Sequence, residues 1–262
     1  MKRLHFIEIH DQHWCPRMVR DALTEYLQFT IAATKPYAAM APILTRALQR
    51  TGTRQVLDLC SGAGGPWQWL HPLLAERGVN VSVCLTDNYP NQRAFGRSSR
   101  LTNPAISYLP QPVDATRGPG ELPGFRTMFT AFHHFDPEHA CAVLADAVRR
   151  RQGIAVFEAT ERSIRALLLM LLVPLMVLLM TPFIRPFRWS RLLWTYLIPL
   201  VPLVALFDGL VSCMRTYSVR ELHELIEGLN AKDYQWEIGK VKSTAGPIPI
   251  TYLIGVPIDK AN

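Results

Sequence analysis

The stretch Val56-Leu57-Asp58-Leu59-Cys60-Ser61-Gly62-Ala63-Gly64 decides the fold. Its first half is a short β-prone run, which breaks into a glycine loop, and Pro66 follows where a helix would start. Glycines let a ligand approach the backbone closely, and the helix N-terminus offers free N–H groups. The pattern predicts a strand, a glycine loop and a helix, although any tight strand-to-helix turn may use glycine.

The rest of the chain continues this alternation of strands and helices. Further strands are predicted at residues 79–86, 106–109, 127–132 and 153–157, with a helix at 138–151. Alternation of this kind predicts an α/β fold with a largely parallel sheet covered on both faces. Near the C-terminus, Ser218 is expected to cap a helix, and strands at 234–241 and 250–256 are expected to form a hairpin.

Acidic residues follow three of the predicted strands. Asp58 lies at the end of the first, and Asp87, about 20 residues beyond the glycines, lies where a carboxylate can accept both ribose hydroxyls of a nucleoside. Asp114 follows the third strand, where it could meet an adenine amino group. A single acid at a strand end is commonly a helix cap, but three in register favour a nucleoside site.

These motifs, in this order over residues 55–158, resemble the class I S-adenosylmethionine-dependent methyltransferases. VLDLCSGAGG resembles the first motif of that family, TDNYPN its ribose-binding acid, PVDAT its adenine-edge motif and TAFHHF its fourth-strand motif. The resemblance implies a Rossmann-like, seven-stranded, mostly parallel sheet with an antiparallel C-terminal strand pair, and S-adenosylmethionine as cofactor. It implies these cofactor-binding residues: Asp58, Cys60, Gly62, Gly64, Asp87, Asn88, Asp114, Ala115 and Phe132.

A nicotinamide dehydrogenase is disfavoured, because its GxGxxG pattern would need a third glycine where this chain has Trp67. Base-directed methyltransferases are disfavoured too, since TAFHHF lacks both the Asn/Asp-Pro-Pro-aromatic pattern and a nucleophilic cysteine.

His133 and His134 are the candidate catalytic residues. They follow the fourth strand, where either could act as general base for an oxygen or nitrogen nucleophile. The alternative is a loop role, packing against the cofactor or capping the next helix. No metal site is expected, since methyl transfer from a sulfonium needs none and no further ligand has recognisable spacing.

Charge and cysteine content suggest where the protein acts. A net charge of +7 suits an anionic membrane surface or a nucleic acid, and arginines flanking the apolar stretches favour the membrane. Five widely spaced cysteines without a CxxC pair suit a reducing cytoplasm. The N-terminus has no continuous apolar segment of the signal-peptide type.

Residues 164–208 form a predicted hydrophobic, membrane-interacting insertion. Residues 166–184 are uncharged and about as long as the roughly 18 residues of a transmembrane candidate, and 192–207 form a second apolar run. A double crossing would carry Arg185, Arg188 and Arg191 to the far side, against the bias for basic residues in the cytoplasm. Helices lying in one leaflet are therefore favoured, and a buried subdomain or oligomer interface is the alternative.

Three segments are thus predicted: an N-terminal helical lid (1–50), a cofactor-binding core (51–163 and 209–262) and the insertion. The expected function is methyl transfer to a small, hydrophobic acceptor at the cytoplasmic face of a membrane. The alternatives are an RNA methyltransferase, although nucleic acid is the less favoured partner, and a non-catalytic cofactor-binding protein on a membrane.

Overall fold

One mixed sheet organises the molecule, and the computed structural model describes residues 1–101, 105–118 and 122–258. The described residues contain seven strands: β1 Gln55–Asp58, β2 Ser82–Leu85, β3 Ile106–Tyr108, β4 Phe125–Phe129, β5 Ile154–Glu158, β6 Tyr234–Val241 and β7 Ile250–Pro257. Their order is β3-β2-β1-β4-β5-β7-β6. Strands β1 to β5 are parallel and β7 runs antiparallel to β5 and β6, which confirms the predicted fold class.

The helices fall on both faces of the sheet and beyond it. They are α1 Arg17–Thr34, α2 Ala41–Thr51, α3 Trp67–Ala75, α4 Gln92–Leu101, α5 Pro137–Arg149, α6 Ile164–Met170, α7 Val173–Met180, α8 Trp189–Leu192, α9 Leu200–Arg215 and α10 Val219–Leu229. Helices α2 and α3 share one apolar cluster with the sheet, and α5 and α10 share the other. The chain therefore changes face between β1 and β4, which are neighbours.

Two predicted strands have different starts in the structure. Strand β2 begins at Ser82 rather than at residue 79, because the chain at Val79 still closes the preceding helix through a bond to the Leu74 carbonyl. Strand β4 begins at Phe125, two residues before its predicted start, and contains the charged Arg126. Asp146 neutralises that buried guanidinium at 2.6 Å, so a charge that argues against a buried strand is accommodated inside one.

The C-terminal predictions agree closely with the structure. Strands β6 and β7 pair from Tyr234 to Val241, and Ser218 caps α10 in a reciprocal bond with Glu221. The last four residues of the predicted core segment 209–262 lie outside the described residues.

The residues of the predicted lid, 1–50, pack against two different parts of the structure. Helix α2 packs against the sheet through Leu44 and Leu48, so only the part of 1–50 before residue 36 lies outside the core layer. A third apolar cluster joins α1 with α7 and α9 through Tyr26, Val177 and Val204. The N-terminal helix and the insertion therefore share one hydrophobic core.

Candidate functional site

The glycine loop after β1 lies at the carboxyl end of the sheet, beside the point where the chain changes face. Such points are where open α/β sheets bind ligands. Gly62 has a φ of +57°, and a Cβ placed on it would meet no atom within 4 Å, so the space above it is open. Gly64, with a φ of +117°, is different, since a Cβ there would lie 2.5 Å from Ser98 Oγ. One glycine leaves room for a ligand and the other allows close packing of α4.

Asp58 organises this loop from below. Its Oδ1 accepts a hydrogen bond from Thr127 Oγ1 at 2.6 Å, and its Oδ2 accepts one from Ser61 Oγ at 2.7 Å. Burial is the main cause that raises the pKa of Asp58, to about 6. One oxygen thus holds the loop and the other holds β4, so direct contact between Asp58 and a cofactor stays a prediction.

Asp87 ties the second strand to the glycine loop. Its Oδ2 accepts a hydrogen bond from the Gly62 N–H at 2.8 Å, and its Oδ1 accepts one from the Tyr89 N–H at 2.8 Å. Burial raises the pKa of Asp87. Asn88 beside it is exposed. The structure thus brings Asp87 and the loop together, as expected of a shared binding site.

Asp114 and Ala115 lie next to Asp87 after β3. The Val113 N–H donates to the Asp87 carbonyl at 2.9 Å, which holds the two segments together. Asp114 is exposed and its Oδ1 accepts bonds from the Thr116 N–H and hydroxyl, whereas Ala115 is buried. Both of these hydrogen bonds go to Oδ1, so Oδ2 of Asp114 is available to a ligand.

Cys60 lies close to these acids, and their negative charges affect the pKa of its thiol. Burial raises the pKa of its thiol well above the usual value, and four carboxylates raise it further: Asp87, Asp11, Asp58 and Asp114. Three of them were predicted, whereas Asp11 comes from the N-terminal segment. Carboxylates from the glycine loop, the next two strand ends and the N-terminal segment therefore lie close enough to Cys60 to affect one thiol.

The predicted catalytic histidines have different environments. His133 is 1% exposed, and its Nδ1 lies 2.7 Å from Glu158 Oε2 at the end of β5. The N–H of the buried Phe132 donates to the same carboxylate at 2.7 Å. His134 is partly exposed, and its Nδ1 lies 2.7 Å from Asp11 Oδ2. Burial alone would lower the pKa of His134, but Glu8 and Asp11 outweigh it and raise the pKa to about 9.

Glu8 lies at the centre of this cluster. It is completely buried, and neither carboxylate oxygen has a hydrogen-bond partner among the described residues. The nearest basic groups are Arg215 Nη1 at 3.4 Å, His133 Nε2 at 3.6 Å and His134 Nδ1 at 3.6 Å. Gaps of this size leave the carboxylate electrostatically balanced but without a direct hydrogen bond.

Sequence reasoning missed three members of the cluster. His10 Nδ1 lies 2.8 Å from the buried Asp208 Oδ2, and Arg215 donates to the carbonyl groups of His133 and His134. Both Asp208 and Arg215 are on α9: Asp208 is the last residue of the predicted insertion, and Arg215 ends the helix within the predicted core segment 209–262. A single carboxylate within an apolar helix was the available signal, because buried charges need partners.

A metal ion could be held here by the described residues. Ligand atoms of Glu8, His10 and His134 lie within 4.8 Å of one another. Asp208 and Asp11 already contact the two histidines, as carboxylates do behind metal ligands. The expectation that the site needs no metal stays untested.

Known structures resemble this arrangement in fold. The plantazolicin methyltransferase BpumL, solved in complex with SAH, matches with a TM-score of 0.55 at 9% sequence identity, over 92% of this chain and 96% of BpumL. An O-methyltransferase family protein from Burkholderia thailandensis matches with a TM-score of 0.51 at 13% identity, over 90% of this chain. The chain spans only 60% of the length of that protein. No family model and no curated protein matches the sequence.

The chain has the class I methyltransferase fold.

Helix α1 covers the glycine-loop end of the sheet. Gln28 Nε2 donates to the Gly65 carbonyl at 2.8 Å, and the Arg20 guanidinium lies 4.2 Å from the centre of the Tyr89 ring. The helix thus lies over the glycine loop and beside the Asp87 turn. This position agrees with the predicted lid, and the lid role stays a prediction.

The two ends of the insertion meet close to the end of β5. Strand β5 ends at Glu158, the predicted insertion covers 164–208, and α9 carries the chain beyond it to Arg215. At the base, Thr160 Oγ1 and Thr216 Oγ1 lie 2.7 Å apart. The helical segment 164–183 is long and apolar enough to cross a membrane. Only 17% of the 18-residue window that meets this criterion is buried inside the protein. A second candidate, Trp189–Leu197 with Leu200–Arg215, is bent by 73°.

The arginines that flank the apolar stretches have partners that differ from the predicted contacts with a membrane surface. Arg191 is buried against Glu25 of α1, and Arg188 lies 3.2 Å from the same carboxylate. Arg162 pairs with Glu221 at 2.6 Å, so three of the five arginines that flank the apolar stretches are bound within the protein rather than free for lipid headgroups. The five are Arg162, Arg165, Arg185, Arg188 and Arg191. The link between α7 and α8 therefore lies beside α1, which argues against a double crossing.

Large apolar side chains remain exposed on the insertion. Trp189 is 78% exposed and Leu197 76%. The other exposed members are Ile164, Leu168, Leu171, Leu172, Leu175, Leu179, Phe183, Phe187, Leu193, Tyr196, Ile198, Leu203 and Phe207. We call these fifteen residues the apolar face. So many exposed large apolar side chains within one segment are typical of a membrane or protein contact.

Proposed function

We propose that the chain is an S-adenosylmethionine-dependent methyltransferase that acts on a small lipophilic acceptor at the cytoplasmic face of a membrane. The observation that carries the proposal is the hydrogen bond from the Gly62 N–H to Asp87 Oδ2. It joins the glycine loop to the acid of the second strand beside the point where the chain changes face, the usual ligand site of such sheets.

The residues present fit that cofactor. Each carboxylate oxygen has two acceptor lone pairs, so Asp87 can bind ribose hydroxyls while holding Gly62 and Tyr89. The open space above Gly62 admits the methionine portion, and Asp114 and Ala115 border the place for adenine. Bound there, S-adenosylmethionine would supply an electrophilic methyl group on a cationic sulfur. The four acids around Cys60 favour that charge.

Calorimetric titration with S-adenosylhomocysteine tests the cofactor. Asp87→Ala should abolish micromolar binding, because it removes the acceptors for the ribose. Asp233→Ala is the matched control, since Asp233 is exposed and pairs only with Arg151 at 2.7 Å. Absence of binding by folded wild-type protein, or equal binding by both variants, would refute the cofactor assignment.

The two histidines support different roles in handling the acceptor proton. His133 Nδ1 lies 2.7 Å from Glu158 Oε2, and in the tautomer that donates to this carboxylate Nε2 is the nitrogen open to an acceptor. That nitrogen has no hydrogen-bond partner among the described residues, so an acceptor hydroxyl that reached it would satisfy a buried polar atom. His134, with its raised pKa, stays protonated at neutral pH and suits a hydrogen-bond donor.

The apolar face supports the choice of a lipophilic acceptor. Strand β5, which ends in Glu158, leads within a few residues into α6, so exposed hydrophobic surface borders the acceptor side of the site. Helices lying flat in one leaflet would bury such a face while the core stays in water. A membrane-borne acceptor could then enter without crossing the aqueous phase.

Vesicle cosedimentation tests this contact. The double variant Leu168→Gln/Leu197→Gln should bind neutral vesicles at least about tenfold more weakly, since each exposed leucine gains about 1.5–3 kcal/mol on burial. Leu122→Gln/Ile258→Gln is the control, because both residues are exposed outside the apolar face. Equal vesicle binding by the two variants would contradict the membrane assignment, and unchanged S-adenosylhomocysteine binding would show that the core is intact.

A further inference from the structure

A cavity of about 260 Å³ lies outside the methyl-transfer site, between α1, α8 and the start of α4. The charged residues that line it are Arg17, Asp21, Glu25, Arg93, Arg188 and Arg191. Four cations therefore face two acids, and the cavity is basic.

The two acids are already compensated. Glu25 contacts Arg191 and also Arg188 and Arg97, at 3.2 Å and 3.3 Å. Asp21 lies 3.8 Å from Arg17, and its pKa is raised chiefly by burial. Three guanidinium groups around one carboxylate leave positive charge over, which an anion in the cavity would balance.

Two of the arginines have unused hydrogen-bonding capacity. Arg191 is 3% exposed, yet its Nε has no hydrogen-bond partner among the described residues. A buried donor without a partner is uncommon and costs free energy, so it points to an acceptor that completes the site. Arg93, at the start of α4, is exposed and makes no ion pair with any described residue.

We propose that this cavity binds the phosphate group of an anionic membrane lipid. Planar guanidinium groups suit phosphate, because they can donate two parallel hydrogen bonds to its oxygens. The apolar face begins at the cavity edge: Phe187 and Trp189 flank Arg188, and the lining residue Met18 is half-exposed. A headgroup in the cavity would place its acyl chains along exposed apolar side chains.

The proposal rests on the proposed membrane contact and is independent of methyl transfer. The lipid arm of the test compares vesicles of phosphatidylcholine with and without phosphatidic acid. The soluble arm uses glycerol phosphate, which carries the same phosphate ester without acyl chains. Both arms compare Arg17→Gln/Arg93→Gln, in the cavity, with Arg165→Gln/Arg185→Gln. The control arginines are exposed beside the apolar face but do not line the cavity.

The cavity variant should lose at least about tenfold more affinity for phosphatidic acid vesicles than the control variant, since it removes phosphate donors as well as charge. Glycerol phosphate should compete with vesicles for wild-type protein and not for the cavity variant. Equal losses in both variants would mean diffuse surface attraction and would overturn the proposal. Binding of glycerol phosphate without any preference for phosphatidic acid would reject the lipid in favour of a soluble phosphate ester. Both variants keep the cofactor residues, so S-adenosylhomocysteine binding tests the methyltransferase assignment separately.

Discussion

Two apolar parts of the chain end in opposite surroundings. Every residue of β4 and β5 is buried between two helical layers. Helices α6 and α7, by contrast, are covered on one side only, by α1 and α9. Hydropathy in the sequence shows that both stretches avoid water. Hydrophobicity alone therefore does not determine whether the rest of the protein covers an apolar stretch; its position in the topology does.

The largest expected effect separates these two regions by stability. Phe157→Ala should lower the free energy of unfolding by about 3–5 kcal/mol, because the ring is completely buried in β5. Leu197→Ala should change it by less than about 0.5 kcal/mol, because that side chain is mostly exposed. Denaturant unfolding measures both. A large loss for Leu197→Ala would mean that protein covers the apolar face.

The next effect concerns the ion pairs that hold the insertion to α1. Glu25→Gln should cost about 3 kcal/mol, because it leaves Arg191 buried without its carboxylate. Glu227→Gln is the control, since Glu227 is exposed on α10 and should change stability by less than about 0.5 kcal/mol. Denaturant unfolding with intact cofactor binding is the measurement. Equal effects would show that these ion pairs do not anchor the insertion.

A smaller effect is expected from pH, at the cluster where lid and insertion meet. The pKa of His134 is raised from 6.5 to about 9, so its stabilising contribution is complete below pH 6.5 and is lost as pH rises towards 9. The loss should be on the order of 1–3 kcal/mol. It should shrink in His134→Asn but persist in His139→Asn, whose histidine is exposed on α5. A stability profile unchanged by His134→Asn would contradict the ion pair with Asp11.

The fold could be predicted because its signals are local. Glycine loop, strand-end acids and alternating elements each depend on a few neighbouring residues, and Asp87 lies where its spacing indicated. Strand β4 was placed late because Arg126 is charged, and only its distant partner Asp146 makes burial affordable. Long-range neutralisation of this kind leaves no periodic signal in the sequence.

The acceptor cluster was only partly predictable for the same reason. His133 and His134 were identified from their position after a strand, but His10 and Asp208 lie 198 residues apart and meet only in the folded chain. Arg188 and Arg191 were interpreted as headgroup contacts because they flank apolar runs. Their actual partner is Glu25, whose position in α1 indicates nothing about an insertion more than a hundred residues later.

The base of the insertion has a consequence for how proteins of this fold can vary. Because Thr160 follows β5 and Thr216 precedes α10, with their hydroxyls 2.7 Å apart, the segment between them can be gained or exchanged as one cassette without changing any strand. The cassette would have to keep Asp208 and Arg215, which complete the polar cluster. A protein of the same fold given this segment, together with a matching N-terminal helix, would gain a large exposed apolar surface in a single step.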